Sequence, residues 1–330
     1  MSEKIHLTLA TGDYEIVRAI KEGAVAPDGI ELTMLTDMDS GTRHDRMVRG
    51  REFDVCELSG SSTLMAKDRG HDLVAIPVFL HRRFRHGFIF INTAKGIEKP
   101  ADLIGRDMGL GTFQSSALLW IRGILEDEFQ VLHKKIHWKV QNQEEMPFTP
   151  PADLDLKRTP SGKNVERMLA EGELDAVIAP NPVAPFVKKD PRVKRLFDNY
   201  QELELDYYRR TGIFPIMHMM VIKEKIVEKH PWVPMNLLVA FEKAKAAGYA
   251  RMRNPRRVPL AWFQYTQEKQ EELMGADPWA YGVNDTNRKV LDTMIRYAHT
   301  QGIISRRLSV DDVFHESTMG EEWKLPVSRG

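Results

Sequence analysis

Phe53-Asp54-Val55-Cys56-Glu57-Leu58-Ser59-Gly60-Ser61-Ser62 is the stretch from which the fold is read. An apolar, strand-forming run from Phe53 to Leu58 breaks at a small, hydroxyl-rich turn. A helix through Leu64, Met65 and Ala66 follows. Upstream lie a helix around Arg43 to Arg49, a strand over Ile30 to Leu35 and a first strand over Ile5 to Ala10. Between the first two strands, Thr11-Gly12-Asp13-Tyr14 leads into an amphipathic helix over Glu15 to Lys21. Downstream, Leu73 to Phe79 reads as a buried strand. Strands alternating with helices predict an α/β fold with a largely parallel sheet.

The pattern repeats further on. Phe88 to Asn92 is a strand. Met108 to Thr112 is another, running through Phe113-Gln114-Ser115-Ser116 into a long helix over Ala117 to Glu128, with Ser115 or Ser116 as its N-cap. Residues 141–163 are polar and proline-rich and read as loop, with Ser161 to Lys163 opening a helix over Val165 to Ala170. A strand over Asp175 to Ala179 precedes Pro180-Asn181-Pro182. The apolar run from Ile213 to Ile222 enters a last strand, and the chain beyond Pro231 is mostly helical. This order suggests one lobe from residues 1–91 and 216–330, with the C-terminal helices, and an inserted lobe from residues 92–215. Crossings near Ile91 and Phe214 would form a hinge beside a ligand cleft.

Composition narrows the function. Hydrophobic residues make up 42% and charged residues 28% of 330, which are globular values. Lys+Arg and Asp+Glu both number 47, so no broad field draws nucleic acid or anionic lipid, and recognition of an anion needs a local cluster. The single cysteine, Cys56, excludes an internal disulfide and fits a reducing compartment. No signal-peptide pattern follows Met-Ser-Glu-Lys, and no run approaches ~18 apolar residues. The expectation is a cytoplasmic protein without a membrane span; homo-oligomerisation is compatible with the sequence.

Several segments resemble the 4,5-dihydroxyphthalate decarboxylase family, in the family's order, from about residue 5 to about residue 300. They are Thr11-Gly12-Asp13-Tyr14, Phe53 to Ser59, Ala75-Ile76-Pro77-Val78-Phe79, Phe84-Arg85-His86, Phe113-Gln114 leading into Trp120-Ile121-Arg122-Gly123-Ile124-Leu125, and Gly212 to His218. The resemblance implies a type 2 periplasmic-binding-protein-like fold. It also implies a decarboxylase of a hydroxylated aromatic carboxylate, giving a protocatechuate-like product and CO2, in aromatic compound catabolism. The alternative is a cytoplasmic or exported solute-binding or sensor protein for a small carboxylate, without catalysis.

The candidate residues follow from chemistry. In His81-Arg82-Arg83-Phe84-Arg85-His86, an extended backbone points Arg83 and Arg85 one way and Arg82, Phe84 and His86 the other. Guanidinium forks suit carboxylates, so Arg83 and Arg85 are the expected clamp; the bland reading is a basic surface loop. Thr112, Gln114, Ser115 and Ser116 precede a helix whose N-terminal amides favour an anion, or simply form a capping turn. Ser59 and Ser61 sit in a second strand-to-helix turn. Glu57, ending an apolar strand, either pairs with an arginine, as a strut for the basic cluster, or carries a raised pKa. His218, inside an apolar strand, is a core histidine or an acid–base group. Asp13 and Tyr14 suit a phenolic hydroxyl, unless Asp13 caps the first helix. Asn181 is a further contact, at a place where the chain departs from the family's pattern.

Losing CO2 directly from a ring would leave an aryl carbanion. Catalysis therefore calls for a base at a ring hydroxyl, an acid at the carboxylate-bearing carbon and a clamp for the carboxylate that stays. His86 and His218 are the expected acid and base, with Glu57 orienting one of them. The expected partner is a small aromatic carboxylate. Gly109-Leu110-Gly111 lacks the rest of a dinucleotide fingerprint, and no His-Glu-x-x-His or paired-Cys pattern exists, so neither an organic cofactor nor a metal is expected.

Overall fold

A computed structural model describes residues 4–320. Its strands, in chain order, are β1 (Ile5–Ala10), β2 (Ile30–Leu35), β3 (Val55–Ser59), β4 (Leu73–Ile76), β5 (Ile89–Asn92), β6 (Asp107–Leu110), β7 (His137–Val140), β8 (Leu156–Arg158), β9 (Ala176–Ile178), β10 (Val193–Arg195) and β11 (His218–Lys223). They form two sheets in two compact units. The first unit takes in the chain up to Arg82, then His218–Leu291, then the chain from Leu308. The second is Arg83–Met217 with Asp292–Arg307.

The first unit's sheet has the order β2-β1-β3-β11-β4. β1 runs parallel to β2 and β3, as the strand–helix alternation predicts, but β11 is antiparallel to β3 and β4, so the sheet is mixed. β3 is buried along its whole length, which is why it reads as an unbroken apolar run. The second unit's sheet has the order β10-β5-β9-β6-β7-β8, with β5 antiparallel to β9 and β10. Its core packs Phe90, Leu169, Leu174 and Val177 together.

Three expectations are adjusted. The division falls at Arg82/Arg83 and Met217/His218 instead of near Ile91 and Phe214, and residues 292–307 count with the second unit. The first shift arises because β5, expected in the first lobe, is hydrogen-bonded into the second sheet. The helix expected over Glu15 to Lys21 is α-helical only over Arg18–Lys21. The helix expected over Val165 to Ala170 is found over Val165–Glu171, but Asn164 opens it in place of Ser161 to Lys163, accepting from the amides of Glu166 and Arg167 as its cap.

Candidate active site

In the first unit the site grows from the register of two strands. Side chains two apart in a strand share a face, so Glu57 and Ser59 do. β11 places Met220 opposite Glu57 and His218 opposite Ser59. His218 is thus the diagonal neighbour of Glu57 on that face, within reach of a long side chain. Its Nδ1 lies 2.6 Å from Glu57 Oε1.

Glu57 is completely buried, and an unpaired carboxylate there would be very costly. Five donors converge on it. Oε2 accepts from Thr11 Oγ1 at 3.1 Å, the Gly12 amide at 2.8 Å and Arg43 Nη2 at 2.8 Å. Oε1 accepts from Tyr14 Oη at 2.8 Å and from His218. Arg43 also reaches the Glu57 carbonyl through Nε, at 3.2 Å. Burial pushes the Glu57 carboxyl up, but His218, Arg43 and the Gly12 amide outweigh it and hold the group well below the usual carboxylate range. Glu57 is therefore an anion. Burial, reinforced by Glu57, raises the Tyr14 phenol far above its ordinary value, so it stays a donor. Gly12 is required here because a Cβ would stand 2.6 Å from the Tyr14 ring.

Burial lowers the pKa of His218, against the pull of Glu57 and with the help of His44 and Arg43. The imidazole is neutral near pH 7. Because Glu57 accepts, Nδ1 carries the proton and Nε2 keeps its lone pair. Two further imidazoles pack edge-on to this ring, His81 at 4.7 Å and His44 at 4.9 Å between centroids. The arrangement can take a proton on Nε2 and stabilise the resulting imidazolium with a fixed anion.

The other first-unit candidates are placed as follows. Ser59 and Ser61 are buried, with their hydroxyls 3.0 Å apart. Asp13 is exposed and pairs with Lys21 at 3.0 Å; it does not cap the first helix, whose N-cap position is Val17. The strut expected between Glu57 and the basic cluster is replaced by Arg43. Arg82 instead binds the Ala280 carbonyl and Asn287 Oδ1.

In the second unit, Arg83 and Arg85 turn to the same segment, as alternation predicts. Arg83 Nη1 donates to Asn181 Oδ1 at 3.1 Å, and Arg85 Nη1 to the Pro180 carbonyl at 2.8 Å. Both guanidinium groups lie over the Phe88 ring. Arg85 is 2% exposed and forms no ion pair among the described residues; burial, with Arg83 nearby, draws its pKa down to about 9. Glu204 acts on it only from a distance, without an ion pair, and a buried cation so weakly compensated suits an anionic guest. His86 is not paired with them. It packs among Phe197 and Tyr207, its Nδ1 is 4.0 Å from Glu204 Oε1, and burial pulls its pKa down to about 4. Burial raises Glu204 to about 7. The Gln114 amide is engaged with the Met146 backbone in both directions. Thr112 and Ser115 are half-buried and Ser116 buried; Ser115 is the N-cap of the helix Ser116–Phe129 by backbone position, without a side-chain capping bond.

Sequence reasoning missed Arg43, His44, Thr11 and Glu204. Among the described residues no group of three or more His, Cys, Asp or Glu could hold a metal ion, and no helix is long and apolar enough to cross a membrane.

The two α/β units, each on a mixed sheet, define a type 2 periplasmic-binding-protein-like fold. The periplasmic aliphatic sulphonate binding protein SsuA from Escherichia coli superposes with a TM-score of 0.56 at 14% identity, over 97% of this chain and 99% of that one. No family model matches the sequence. The 4,5-dihydroxyphthalate decarboxylase of Comamonas testosteroni is 33% identical over 332 residues, covering 98% of this chain and 99% of the relative. The enzyme of the same name from Pseudomonas putida is 34% identical over 214 residues, 62% of this chain and 82% of the relative. The chain belongs to the 4,5-dihydroxyphthalate decarboxylase family.

Proposed function

We propose that this protein removes one carboxylate from a hydroxylated aromatic acid of the 4,5-dihydroxyphthalate type, without an organic cofactor. The observation that carries the reading is the neutral His218 imidazole held at 2.6 Å by the buried, ionised Glu57. A pure anion-binding site needs only fixed charges and amides, whereas an imidazole backed by a carboxylate suits proton transfer.

In this mechanism His218 Nε2 takes the proton of a ring hydroxyl para to the departing carboxylate. The phenolate pushes electron density into the ring, and the carbon bearing the carboxylate accepts a proton from His81, the imidazole packed nearest His218, which water reprotonates to supply the one proton the reaction consumes. The C–C bond then breaks, CO2 leaves, and the bonding pair returns to the ring. The proton on His218 goes back to the phenolate oxygen. Glu57 stabilises the imidazolium, and Arg43 and Tyr14 keep Glu57 in place. For the second unit we propose, separately, that Arg83 and Arg85 bind a carboxylate. The groups that hold the carboxylate that stays must grip it more firmly than the one that leaves, because uniform binding does not speed the chemical step.

The test is to incubate the purified protein with hydroxylated phthalates and benzoates and to measure CO2 release, with and without a chelator. Release from a dihydroxyphthalate that is insensitive to the chelator is the expected result. Micromolar binding with no release from any member of the panel overturns the enzymatic reading in favour of a sensor.

A further inference from the structure

The first unit contains a hollow that meets the Glu57 cluster only at Tyr14. It has a volume of about 360 Å³, within the roughly 300–1,000 Å³ typical of small-molecule sites. Its walls are mostly apolar: Ile16, Leu80, Tyr249, Met252, Phe263 and Trp279. One side is the Tyr14 ring, whose hydroxyl supports Glu57. Another side is the helix Phe263–Met274, which buries none of its own residues and so has an apolar face with little to cover. The loop carrying Trp279 is pinned by Lys245, which donates to Asp277 Oδ2 at 2.6 Å and to the Trp279 carbonyl at 3.3 Å, and by Tyr249, which donates to Asp277 Oδ1 at 2.9 Å. The hollow is therefore held open by a built frame.

Its polar members fix the ligand's charge. Glu15, Arg253 and Glu271 line it; Glu15 is neutralised by Arg251 at 2.7 Å and Arg18 at 3.3 Å, and among the described residues Arg253 and Glu271 form no ion pair, so their two charges cancel. Gln267, Gln270 and Thr266 add neutral donors and acceptors. The rings of Tyr14, Tyr249, Phe263 and Trp279, with a balanced rim, favour an uncharged aromatic over a carboxylate. Arg83 and Arg85 in the second unit favour the opposite. We propose that this hollow is a separate binding site for an uncharged hydroxylated aromatic of one or two rings. An occupant would lie against the ring of Tyr14 and so against the support of Glu57. This inference goes beyond the decarboxylase reading and does not depend on it.

Calorimetric titration of the full chain with 2-naphthol at pH 7 tests it, with 2-naphthoate as the charged control. One-to-one binding of 2-naphthol in the micromolar range is expected, with naphthoate at least tenfold weaker. Thr266→Trp, on a helix that buries nothing, and Met252→Trp each fill the space and should weaken 2-naphthol at least tenfold. Arg85→Ala should leave it unchanged. No saturable binding, equal binding of naphthoate, or indifference to both filling variants overturns the proposal. Loss of binding in Arg85→Ala also overturns it, by assigning the probe to the carboxylate clamp. Failure of the decarboxylase assay has no bearing on these outcomes.

Discussion

Arg43 and His218 hold opposite oxygens of one carboxylate, Arg43 on Glu57 Oε2 at 2.8 Å and His218 on Oε1 at 2.6 Å. The arginine fixes the anion, and the anion fixes the histidine's tautomer. Removing the arginine should therefore do more than weaken the fold.

Arg43→Met leaves a buried carboxylate without its cation, a change that costs about 3–5 kcal/mol. Chemical denaturation should show that loss. Arg43→Lys should recover part of the stability but little of the geometry, since one ammonium nitrogen does not reproduce the rigid two-nitrogen reach of Nε to the Glu57 carbonyl and Nη2 to Oε2. If Arg43→Met unfolds at the wild-type midpoint, Arg43 is not what keeps Glu57 ionised.

Glu57→Gln keeps the shape and removes the charge. The imidazolium loses its counter-ion, and turnover should fall by about 10²–10⁴-fold, as should that of His218→Gln. The double variant should be little worse than either single one, because the pair acts as a unit. Independent, multiplying losses in a kinetic cycle would argue against a dyad.

The acid limb of kcat/KM should lie below the ordinary histidine range. The His218 pKa is lowered by burial, so the base form persists as the pH drops under 6.5. A limb centred at or above 6.5 in a pH–rate profile would assign the titration to another group.

His86 and Glu204 should pull stability in opposite directions. His86 has a folded pKa of about 4, below its unfolded value, so its contribution is present above pH 6.5 and is lost as pH falls toward 4. Glu204, at about 7, is raised above its unfolded value, so its contribution is full below about pH 4.5 and is lost as pH rises through 7. Each effect is of order 2–3 kcal/mol. Urea unfolding between pH 4 and 7 should show His86→Gln losing stability, relative to wild type, as pH rises, and Glu204→Gln gaining it. Parallel curves for all three proteins would refute both titrations.

Arg85→Ala should raise KM for a dicarboxylate at least tenfold without unfolding the protein, since Arg85 makes no ion pair among the described residues. Normal kinetics in that variant would remove Arg85 from the clamp.

Much of this was legible in the sequence because it is local. The alternation of strands and helices gave the α/β class, and the two-residue period put Arg83 and Arg85 on one side. The Glu57–His218 contact was not legible, because it depends on the antiparallel register of strands 161 residues apart in the chain. Arg43 was read as part of a helix, and nothing in its spacing marks it as the partner of Glu57. The error over the basic cluster came from assigning that carboxylate to the arginines expected at the ligand, when Arg43 takes it and Arg82 is occupied by Ala280 and Asn287. The boundary near Ile91 failed because a strong strand pattern cannot say which sheet the strand joins.

The helix Asp285–Thr300 starts among first-unit residues and ends among those of the second, where Gln301 just beyond it receives the Arg122 guanidinium at 2.7 Å. Each unit is thus stitched from segments scattered along the polypeptide. Neither could be excised as one stretch of coding sequence, and a stop codon after residue 291 would strip the middle of the protein of a piece encoded almost at its end. A gene exchange that swapped one unit between relatives would have to match four separate junctions.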